Sequence, residues 1–289
     1  MLLLCRAASR RDIETEGWCS AVLKDVTLGQ YFPGDTLIHR LDPRTKILFV
    51  TVYIIALFVA KTWVSYGSLL LILLISIAIS KIPLASMLRG LKPLTIIIIF
   101  TAVINIFYNG EGRQLFSFWI FTATDAGLIK AGYMLLRITM LILSTFLVTY
   151  TTTPMALTDG LELLLNPLKK LKVPVHEFSM MMSIALRFIP TLIEEADKIM
   201  NAQKARGADF ETGKLTDRAK ALLPLLIPLF VSSFRRADEL ATAMEARCYH
   251  GGEGRTRMKK LRLAAADGIV MSFSVFLLAA IITLARFGL

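Results

Sequence analysis

The sequence has few of the residues that build reactive sites. Three cysteines and three histidines occur in 289 residues, with no Cys-x-x-Cys pair and no His-Glu-x-x-His motif. A disulfide framework and the common zinc sites are therefore not indicated, and we expect no metal or cofactor of its own. The phosphate-loop pattern Gly-x-x-x-x-Gly-Lys-Ser/Thr is also missing, so the chain is predicted neither to hydrolyse ATP nor to be an enzyme.

Acidic pairs are missing from the apolar runs, so an ion relay inside the membrane is not indicated. Arg137 is the one ionisable residue expected in or near a span, at its outer edge. Glu194 and Glu195 lie in a polar stretch, and we expect them to be solvated. A stand-alone secondary transporter needs paired charges or broken helices at mid-membrane, and an intramembrane enzyme needs a convergent catalytic set. Both remain as alternatives.

Hydrophobic residues are abundant, at 55% of the chain, with a mean hydropathy of +0.61. The 33 Lys and Arg exceed the 22 Asp and Glu. This combination indicates an all-α polytopic protein of the cell membrane with basic cytoplasmic segments, and no nucleic-acid partner. Five spans are predicted from the uncharged apolar runs, at residues 47–60, 62–80, 93–110, 131–152 and 268–285.

The basic residues between the runs alternate in number, which predicts a cytoplasmic N-terminus and an external C-terminus. Residues 1–22 are predicted to be a disordered or non-native extension, with the native start near Val22. Residues 23–152 then form a membrane domain of about four spans, 153–266 form long cytoplasmic helices, and 267–289 form a last transmembrane helix.

Two short stretches beside the runs have structural interpretations. Asp42-Pro43 predicts a rigid turn that starts a helix, with the basic residues His39, Arg40, Arg44 and Lys46 at the lipid headgroups. Residues 110–127 alternate apolar and aromatic residues between glycines, which predicts a small external loop or hairpin. Trp119 and Phe121 would then lie at the membrane interface.

One helical phrase occurs twice in the charged region. Ala205-Arg206-Gly207 recurs 41 residues later as Ala246-Arg247-Cys248, and the preceding alanine and aspartate positions recur at the same spacing. Each copy ends a long predicted helix that is apolar early and charged late. Gly207 is the expected residue after the first helix, and Gly251-Gly252 follow the second. Three prolines interrupt these helices as candidate hinges: Pro190, Pro224 and Pro228.

The small neighbours of each arginine let a helix end approach another backbone closely, and a guanidinium can bind a carboxylate or carbonyl through two hydrogen bonds. An arginine at a helix C-terminus is also favoured by the helix dipole, which would suffice for one copy. Two similar ends suit two similar docking sites, such as a pair of related partner subunits.

With these phrases, and with the stretch "LKDVTLGQYFPGDTLIHRLDPRTKI", the chain resembles the T component of energy-coupling factor transporters over about residues 22–289. The resemblance implies a scaffold subunit of an ABC-type importer for vitamins or trace metals. It implies two ATPase subunits, which bind the ATP, docked at the two Ala-Arg-x phrases. It also implies one or more separate membrane subunits that capture the substrate and dock on the long helices.

The candidate surface for that capture subunit comprises Met180, Met181, Met182, Leu225 and Leu226. Methionine adapts its shape, so three in a row could accept several partners. The same methionines could equally fill a core. A shared scaffold serving several capture subunits is therefore a hypothesis from composition.

Overall fold

A computed structural model of the chain describes residues 31–60, 62–108, 114–118, 121–208, 215–251, 261 and 263–287. Its helices are α1 (Leu37–Arg40), α2 (Pro43–Val59), α3 (Trp63–Ser80), α4 (Leu84–Leu91), α5 (Thr95–Tyr108), α6 (Asp125–Thr151), α7 (Pro154–Leu165), α8 (Val175–Ala205), α9 (Leu215–Ala246) and α10 (Ala265–Phe287). Short 3-10 turns at Lys92–Leu94 and Asn166–Leu171 join α4 to α5 and extend α7. Two strands, β1 (Gln114–Phe118) and β2 (Phe121–Thr124), lie between α5 and α6.

The predicted all-α membrane architecture is confirmed, with one small antiparallel hairpin added. In that hairpin Gln114 lies opposite Thr124, and Phe118 lies opposite Phe121. The hairpin falls within residues 110–127, as expected. The interfacial position predicted for Trp119 and Phe121 concerns side chains outside the described part of the structure.

Four stretches of the described residues are long and apolar enough to cross a membrane: Trp63–Ser80, Leu84–Ile106, Gly127–Thr151 and Ala265–Arg286. They correspond to four of the five predicted spans, although one begins at Leu84 and not at residue 93. The remaining prediction coincides with α2, which has 17 residues. Such a helix is about 25 Å long, less than the roughly 30 Å of the hydrocarbon core.

The chain divides into two compact units. One comprises Gly29–Pro167 and Met258–Leu289, and the other comprises Met1–Leu28 and Leu168–Arg257. The first contains the four candidate spans and is called the membrane unit below. The second contains α8 and α9 and is called the helix-pair unit. The four-part division drawn from the sequence stays a prediction, and its first segment, 1–22, lies outside the described residues.

The core of the membrane unit is built by apolar side chains of α2, α3, α4, α6 and α10, with Ile98 of α5. Its most deeply buried members include Leu57, Leu69, Met140 and Ile281. Tyr53 is buried with them, and its hydroxyl donates to the carbonyl of Leu69 at 3.1 Å. The one polar atom that this tyrosine brings into the core is therefore satisfied.

The predicted turn at Asp42-Pro43 is confirmed. The Asp42 carboxylate caps α2 by accepting a hydrogen bond from the N–H of Arg44 at 3.0 Å, and Pro43 occupies the first turn. The N–H of Asp42 donates to Oδ1 of Asp267 at 2.9 Å, while Oδ2 of Asp267 accepts from the N–H of Ala264. One carboxylate therefore joins the start of α10 to the start of α2.

The headgroup position expected for Lys46 is wrong. Its side chain is buried, and Nζ donates to the carbonyl of Thr151 at 2.9 Å, to Oγ1 of Thr152 at 3.2 Å and to the carbonyl of His39 at 3.3 Å. The ammonium thus satisfies the backbone carbonyl of Thr151 at the C-terminal end of α6, where a cation also complements the helix dipole.

Arg137 lies inside a candidate span and forms a structural contact. Its Nε donates to the hydroxyl of Tyr66 at 2.9 Å, and Nη2 reaches the carbonyl of Ala60 at 3.5 Å. The guanidinium therefore ties the end of α2 to α3. The same span also contains Lys130, so the expectation that Arg137 is the only ionisable residue of a span is wrong.

Candidate functional site

The C-terminal end of α8 has a defined backbone structure. Gly207 adopts the left-handed conformation, with φ at +86°. Its N–H donates to the carbonyl of Lys204 at 2.9 Å, and the N–H of Ala208 donates to the carbonyl of Gln203 at 3.0 Å. These two bonds form a Schellman motif. Arg206 is the residue between the last helical position and the glycine.

The end of α9 repeats this structure. Cys248 is in the left-handed conformation with φ at +56°. Its N–H donates to the carbonyl of Glu245 at 2.8 Å, and the N–H of Tyr249 donates to the carbonyl of Met244 at 3.0 Å. Each partner lies 41 residues after its counterpart at the end of α8. Arg247 therefore occupies the same backbone position as Arg206.

The two ends differ in the left-handed residue. Glycine adopts this conformation freely, whereas a residue with a Cβ is strained in it by about 1–2 kcal/mol. The sequence indicated only that Gly251-Gly252 follow the second helix, and the structure places Cys248 in the left-handed position directly after Arg247. Gly251 has φ at +97° but lies three residues further on, and Gly252 is not described. The alignment of the two phrases carried the correct signal, since it places Cys248 on Gly207.

All six residues of the two phrases are exposed: Ala205, Arg206, Gly207, Ala246, Arg247 and Cys248. Within the described part of the chain, neither arginine side chain forms an ion pair or a hydrogen bond. A Cβ placed on Gly207 would meet no atom within 4 Å. Each end thus presents a solvated guanidinium between small residues, free to bind an external carboxylate or carbonyl.

The helices that carry these ends pack in opposite directions. Near the end of α8, Met200 is buried against Leu225 and Leu229 of the early part of α9. Near the end of α9, the hydroxyl of Tyr249 donates to Sδ of Met180 in the early part of α8 at 3.1 Å. Each helix end therefore packs on the beginning of the other helix.

An ion pair between Glu195 and Arg236 connects α8 to α9 between the two contacts at their ends. Nη2 of Arg236 donates to Oε2 of Glu195 at 2.9 Å, and both side chains are about a quarter exposed. A hydrogen bond from Ser232 is the largest cause that lowers the pKa of Glu195 below its usual value. Burial opposes it, and the hydrogen bond and charge of Arg236 then add to the lowering. The expectation that both glutamates are solvated is wrong for Glu195 and holds for Glu194, which is exposed.

The positions of this ion pair are 41 residues apart, which is also the spacing of the repeated phrases. Equivalent positions of the two copies therefore contact each other. For two helices that pack in opposite directions, such a contact is expected near the axis of a two-fold arrangement. The repeat in the sequence thus corresponds to an approximate internal two-fold symmetry of α8 and α9, with Glu195 and Arg236 near its axis and the two arginine phrases at its ends.

The candidate docking residues for a capture subunit have different surroundings. Met181 and Met182 are exposed, at 57% and 39%, and Met180 is half-buried beneath Tyr249. Leu226 is exposed, whereas Leu225 is buried in the contact with Met200. The interpretation as core-filling side chains is therefore wrong for Met181 and Met182.

The prolines lie inside continuous helices. Pro190 is within α8, and Pro224 and Pro228 are within α9. Each removes one backbone hydrogen bond without ending its helix. Their role as hinges stays a prediction. Across the described residues, no group of three or more His, Cys, Asp and Glu side chains is placed to hold a metal ion.

Comparison with known proteins gives a consistent assignment. The family described as cobalt transport protein, CbiQ, matches residues 34–258. The energy-coupling factor transporter transmembrane protein EcfT of Clostridium kluyveri is 52% identical over 266 residues, covering 92% of this chain and 98% of the relative. The proteins of the same name from Acidaminococcus fermentans and Bacillus subtilis are 54% and 47% identical, covering 89% and 92% of this chain and 97% and 100% of those relatives.

The resemblance to T components of energy-coupling factor transporters is thereby confirmed. The family match includes α1 to α9 and both arginine phrases, and it ends before α10. This chain therefore belongs to the CbiQ family, together with the EcfT transmembrane proteins of energy-coupling factor transporters.

Proposed function

We propose that this chain is the coupling subunit of an ATP-driven importer in the cell membrane. In this proposal two ABC-type ATPase subunits bind the ends of α8 and α9, and a separate membrane subunit captures a vitamin or a trace metal. The chain itself neither binds nor hydrolyses ATP, because it has no phosphate loop. The name of the EcfT relatives supports an energy-coupled transporter as the setting.

The observation that carries the proposal is the match between the two helix ends. Arg206 and Arg247 occupy the same position of the same backbone motif, and both are exposed. One such end is explained by helix capping alone. Two ends related by an approximate two-fold are what a pair of similar ATPase subunits requires, since each subunit then meets the same arginine in the same backbone setting.

An apolar surface on α8 and α9 supports the capture-subunit part of the proposal. Its exposed members are Met181, Met182, Leu226, Ile227, Phe230 and Phe234. Exposed apolar patches mark contacts with protein or lipid, because leaving them in water is unfavourable. This surface lies on the same two helices as the arginine phrases. Movement of the ATPase subunits would therefore act directly on the helices that hold the capture subunit.

The test is assembly and transport with the arginines removed. Arg206→Ala or Arg247→Ala alone should weaken docking by roughly 10- to 150-fold, as expected for one charge-assisted contact of about 1.5–3 kcal/mol. The double variant should lose ATPase subunits almost completely, because the second contact no longer gains from the effective concentration set by the first. Co-purification of the ATPase subunits and ATP-dependent uptake into vesicles measure both effects.

Arg235→Ala is the matched control, because Arg235 is an exposed arginine of α9 outside the phrase. It should assemble and transport normally. Full assembly and uptake by the double variant would show that the phrases only cap their helices, and the proposal would fail.

A further inference from the structure

The chain joins the helix-pair unit to the membrane unit both before α8 and after α9. It leaves the membrane unit through α7, and it re-enters that unit at α10. Inside the membrane unit, α7 and α10 both pack on α2. The connections on either side of the helix pair therefore reach the membrane helices at the same helix.

α7 contacts the first turn of α2 at Gly160, which is buried. A Cβ placed on this glycine would lie 2.9 Å from Cβ of Pro43 and 3.3 Å from the backbone nitrogen of Arg44. The first distance is well below the optimal separation of about 3.5–4.0 Å between carbon atoms. Glycine thus allows the close approach of the two helices, and any side chain at this position would push α7 away from the start of α2.

Charged groups fasten two further elements to the same part of α2. Nζ of Lys46 holds the end of α6, directly before α7, through the carbonyl of Thr151. The carboxylate of Asp267 holds the start of α10 by accepting from the N–H of Asp42. The segment Asp42–Lys46 is called the α2 junction below. Little more than one helical turn therefore contacts the end of α6, α7 and the start of α10.

Buried charge is concentrated at the α2 junction. Among the residues that the structure describes, the buried charged side chains are Asp42, Lys46 and Asp267, and all three take part in these contacts. Burial of charge is costly, and the charge-assisted hydrogen bonds that compensate for it are directional. Apolar helix contacts, in comparison, permit small sliding movements. The junction is therefore the place where α7 and α10 are held to α2 in a fixed geometry.

We propose that the α2 junction transmits movement of the helix pair to the membrane helices, with Gly160, Lys46 and Asp267 as positioning residues. The inference rests on the proposed coupling function and adds the place where movement enters the membrane unit. A displacement of α8 acts on α7 through the chain, and a displacement of α9 acts on α10 in the same way. Because both are fastened to one turn of α2, the two displacements combine there. α2, α6 and α10 then move together.

The experiment measures how much transport each hydrolysed ATP drives. The full complex, with ATPase and capture subunits, is reconstituted in vesicles, and uptake and ATP hydrolysis are measured on the same sample. Gly160→Ala should retain assembly and hydrolysis. Its uptake per ATP hydrolysed should fall by roughly 5- to 150-fold, the usual range of a coupling free energy between two sites. A loss of stability alone would lower both rates together, because it removes whole complexes.

Gly90→Ala is the matched control for a steric clash. A Cβ on Gly90 of α4 would also lie 2.9 Å from another atom, in the ring of Phe146 of α6, but neither residue belongs to the α2 junction. This variant should change uptake per ATP hydrolysed by less than about twofold.

A rescue variant separates coupling from stability. Pro43→Gly combined with Gly160→Ala removes the Cβ of Pro43 that Gly160→Ala would strike. The combination should recover much of the uptake per ATP hydrolysed, although Pro43 itself favours the start of α2. A merely structural role predicts the opposite, since the second substitution adds a further loss of stability.

Lys46→Met tests the junction without a clash. It keeps an apolar chain of similar length but removes the ammonium group from the carbonyl of Thr151, so uptake per ATP hydrolysed should fall here too. Lys92→Met is its control, because Lys92 is an exposed lysine of the same unit, and its coupling should be unchanged.

Equal losses of uptake and hydrolysis in Gly160→Ala, or the same change of coupling in Gly160→Ala and Gly90→Ala, would overturn the inference. If Gly160→Ala does not assemble, normal coupling in Lys46→Met overturns it. Failure of the coupling function is recognised separately, because the Arg206→Ala/Arg247→Ala double variant would then still assemble. If that double variant loses assembly while Gly160→Ala and Lys46→Met show normal uptake per ATP hydrolysed, only the inference about the α2 junction is wrong.

Discussion

The ends of α8 and α9 share one backbone motif but differ at the residue that the motif strains most. Both ends place an exposed arginine directly before a left-handed residue, with equivalent hydrogen bonds that differ in length by no more than about 0.1 Å. Gly207 fills the left-handed position at one end and Cys248 fills it at the other. The motif is thus retained at the second end although a cysteine there is strained.

This difference shows which features of the motif are common to both helix ends and which feature varies between them. If stability alone selected these residues, glycine would serve at both ends. The shared element is instead the arginine, its small preceding neighbour and the backbone that orients them. The comparison therefore indicates that the position of the guanidinium matters more than the local free energy of each helix end.

The largest expected effect concerns the side of the membrane on which the two ends lie. Docking to one pair of ATPase subunits requires both helix ends to lie on the cytoplasmic side. A cysteine at either end should therefore be fully protected from an impermeant thiol reagent in intact cells. With Cys5 and Cys19 replaced by serine, native Cys248 should not react with an impermeant maleimide in intact cells. A cysteine introduced by Ala205→Cys, with Cys248 also replaced, should behave identically, and both should react after permeabilisation.

Ser117→Cys in the β1–β2 hairpin is the opposite control and should react in intact cells, since that hairpin is predicted to be external. Reaction of a cysteine at position 205 or 248 with the reagent from outside the cell would show that the two helix ends do not both lie on the cytoplasmic side. It would also overturn the predicted orientation of the chain.

The spans and the repeat could be predicted from the sequence because each depends on local pattern. A helix that crosses lipid must be apolar over its whole length, so four candidate spans appear as apolar runs. The fifth predicted span coincides with α2, whose 17 helical residues are at the lower limit for crossing a membrane, so that span stays a prediction. The paired phrases were also visible, since identical residues at one spacing require no knowledge of the fold.

Charged residues with tertiary partners could not be predicted in this way. Lys46 is buried because the end of α6 offers it a carbonyl and a hydroxyl group, and those lie more than 100 residues away along the chain. Glu195 and Arg236 stand one position before the aligned alanines of the repeat. Their contact depends on α8 and α9 packing in opposite directions, which no local sequence pattern indicates. The left-handed conformation of Cys248 was not predicted, because glycine is the residue generally expected at that position.

A smaller effect is expected from exchanging the left-handed residues of the two ends. Cys248→Gly should relieve strain and stabilise the end of α9 by about 1 kcal/mol, and Gly207→Cys should cost the end of α8 about 1–2 kcal/mol. No atom lies within 4 Å of a Cβ on Gly207, so the cost would come from backbone strain and not from a clash. Amide hydrogen exchange of the last turn of each helix measures the two changes separately.

Binding of the ATPase subunits to the same variants is a second measurement, which shows whether strain at the helix end affects docking. Gly207→Cys should retain most binding, because Cys248 shows that the motif accommodates a cysteine. Gly207→Val is the harsher variant, since a β-branched residue is poorly suited to the left-handed region, and it should lose binding at the end of α8. Unchanged hydrogen exchange at both ends would contradict the assignment of strain to Cys248.

The smallest expected effect lies at the middle of the pair, where the two copies of the repeat touch. Both side chains of the Glu195–Arg236 ion pair are about a quarter exposed, so Arg236→Ala should destabilise the helix pair by only about 1 kcal/mol. The neighbouring Arg235→Ala should change stability by less than about 0.5 kcal/mol. Because the folded pKa of Glu195 is lowered, its contribution is present above the usual glutamate pKa of about 4.3 and is lost as pH falls through the folded value.

A charge exchange tests whether the two-fold relation itself accounts for this contact. Arg236→Glu alone should cost more than Arg236→Ala, because it places two carboxylates together. Positions 195 and 236 are equivalent in the repeat, so each should accept the other's side chain. Glu195→Arg combined with Arg236→Glu should therefore recover most of the lost stability in thermal unfolding of the purified chain. If the double variant is no more stable than Arg236→Glu, the contact depends on neighbours that only one copy has, such as Ser232 beside Glu195 and Phe188 beside Arg236, and the internal symmetry does not extend to its side chains.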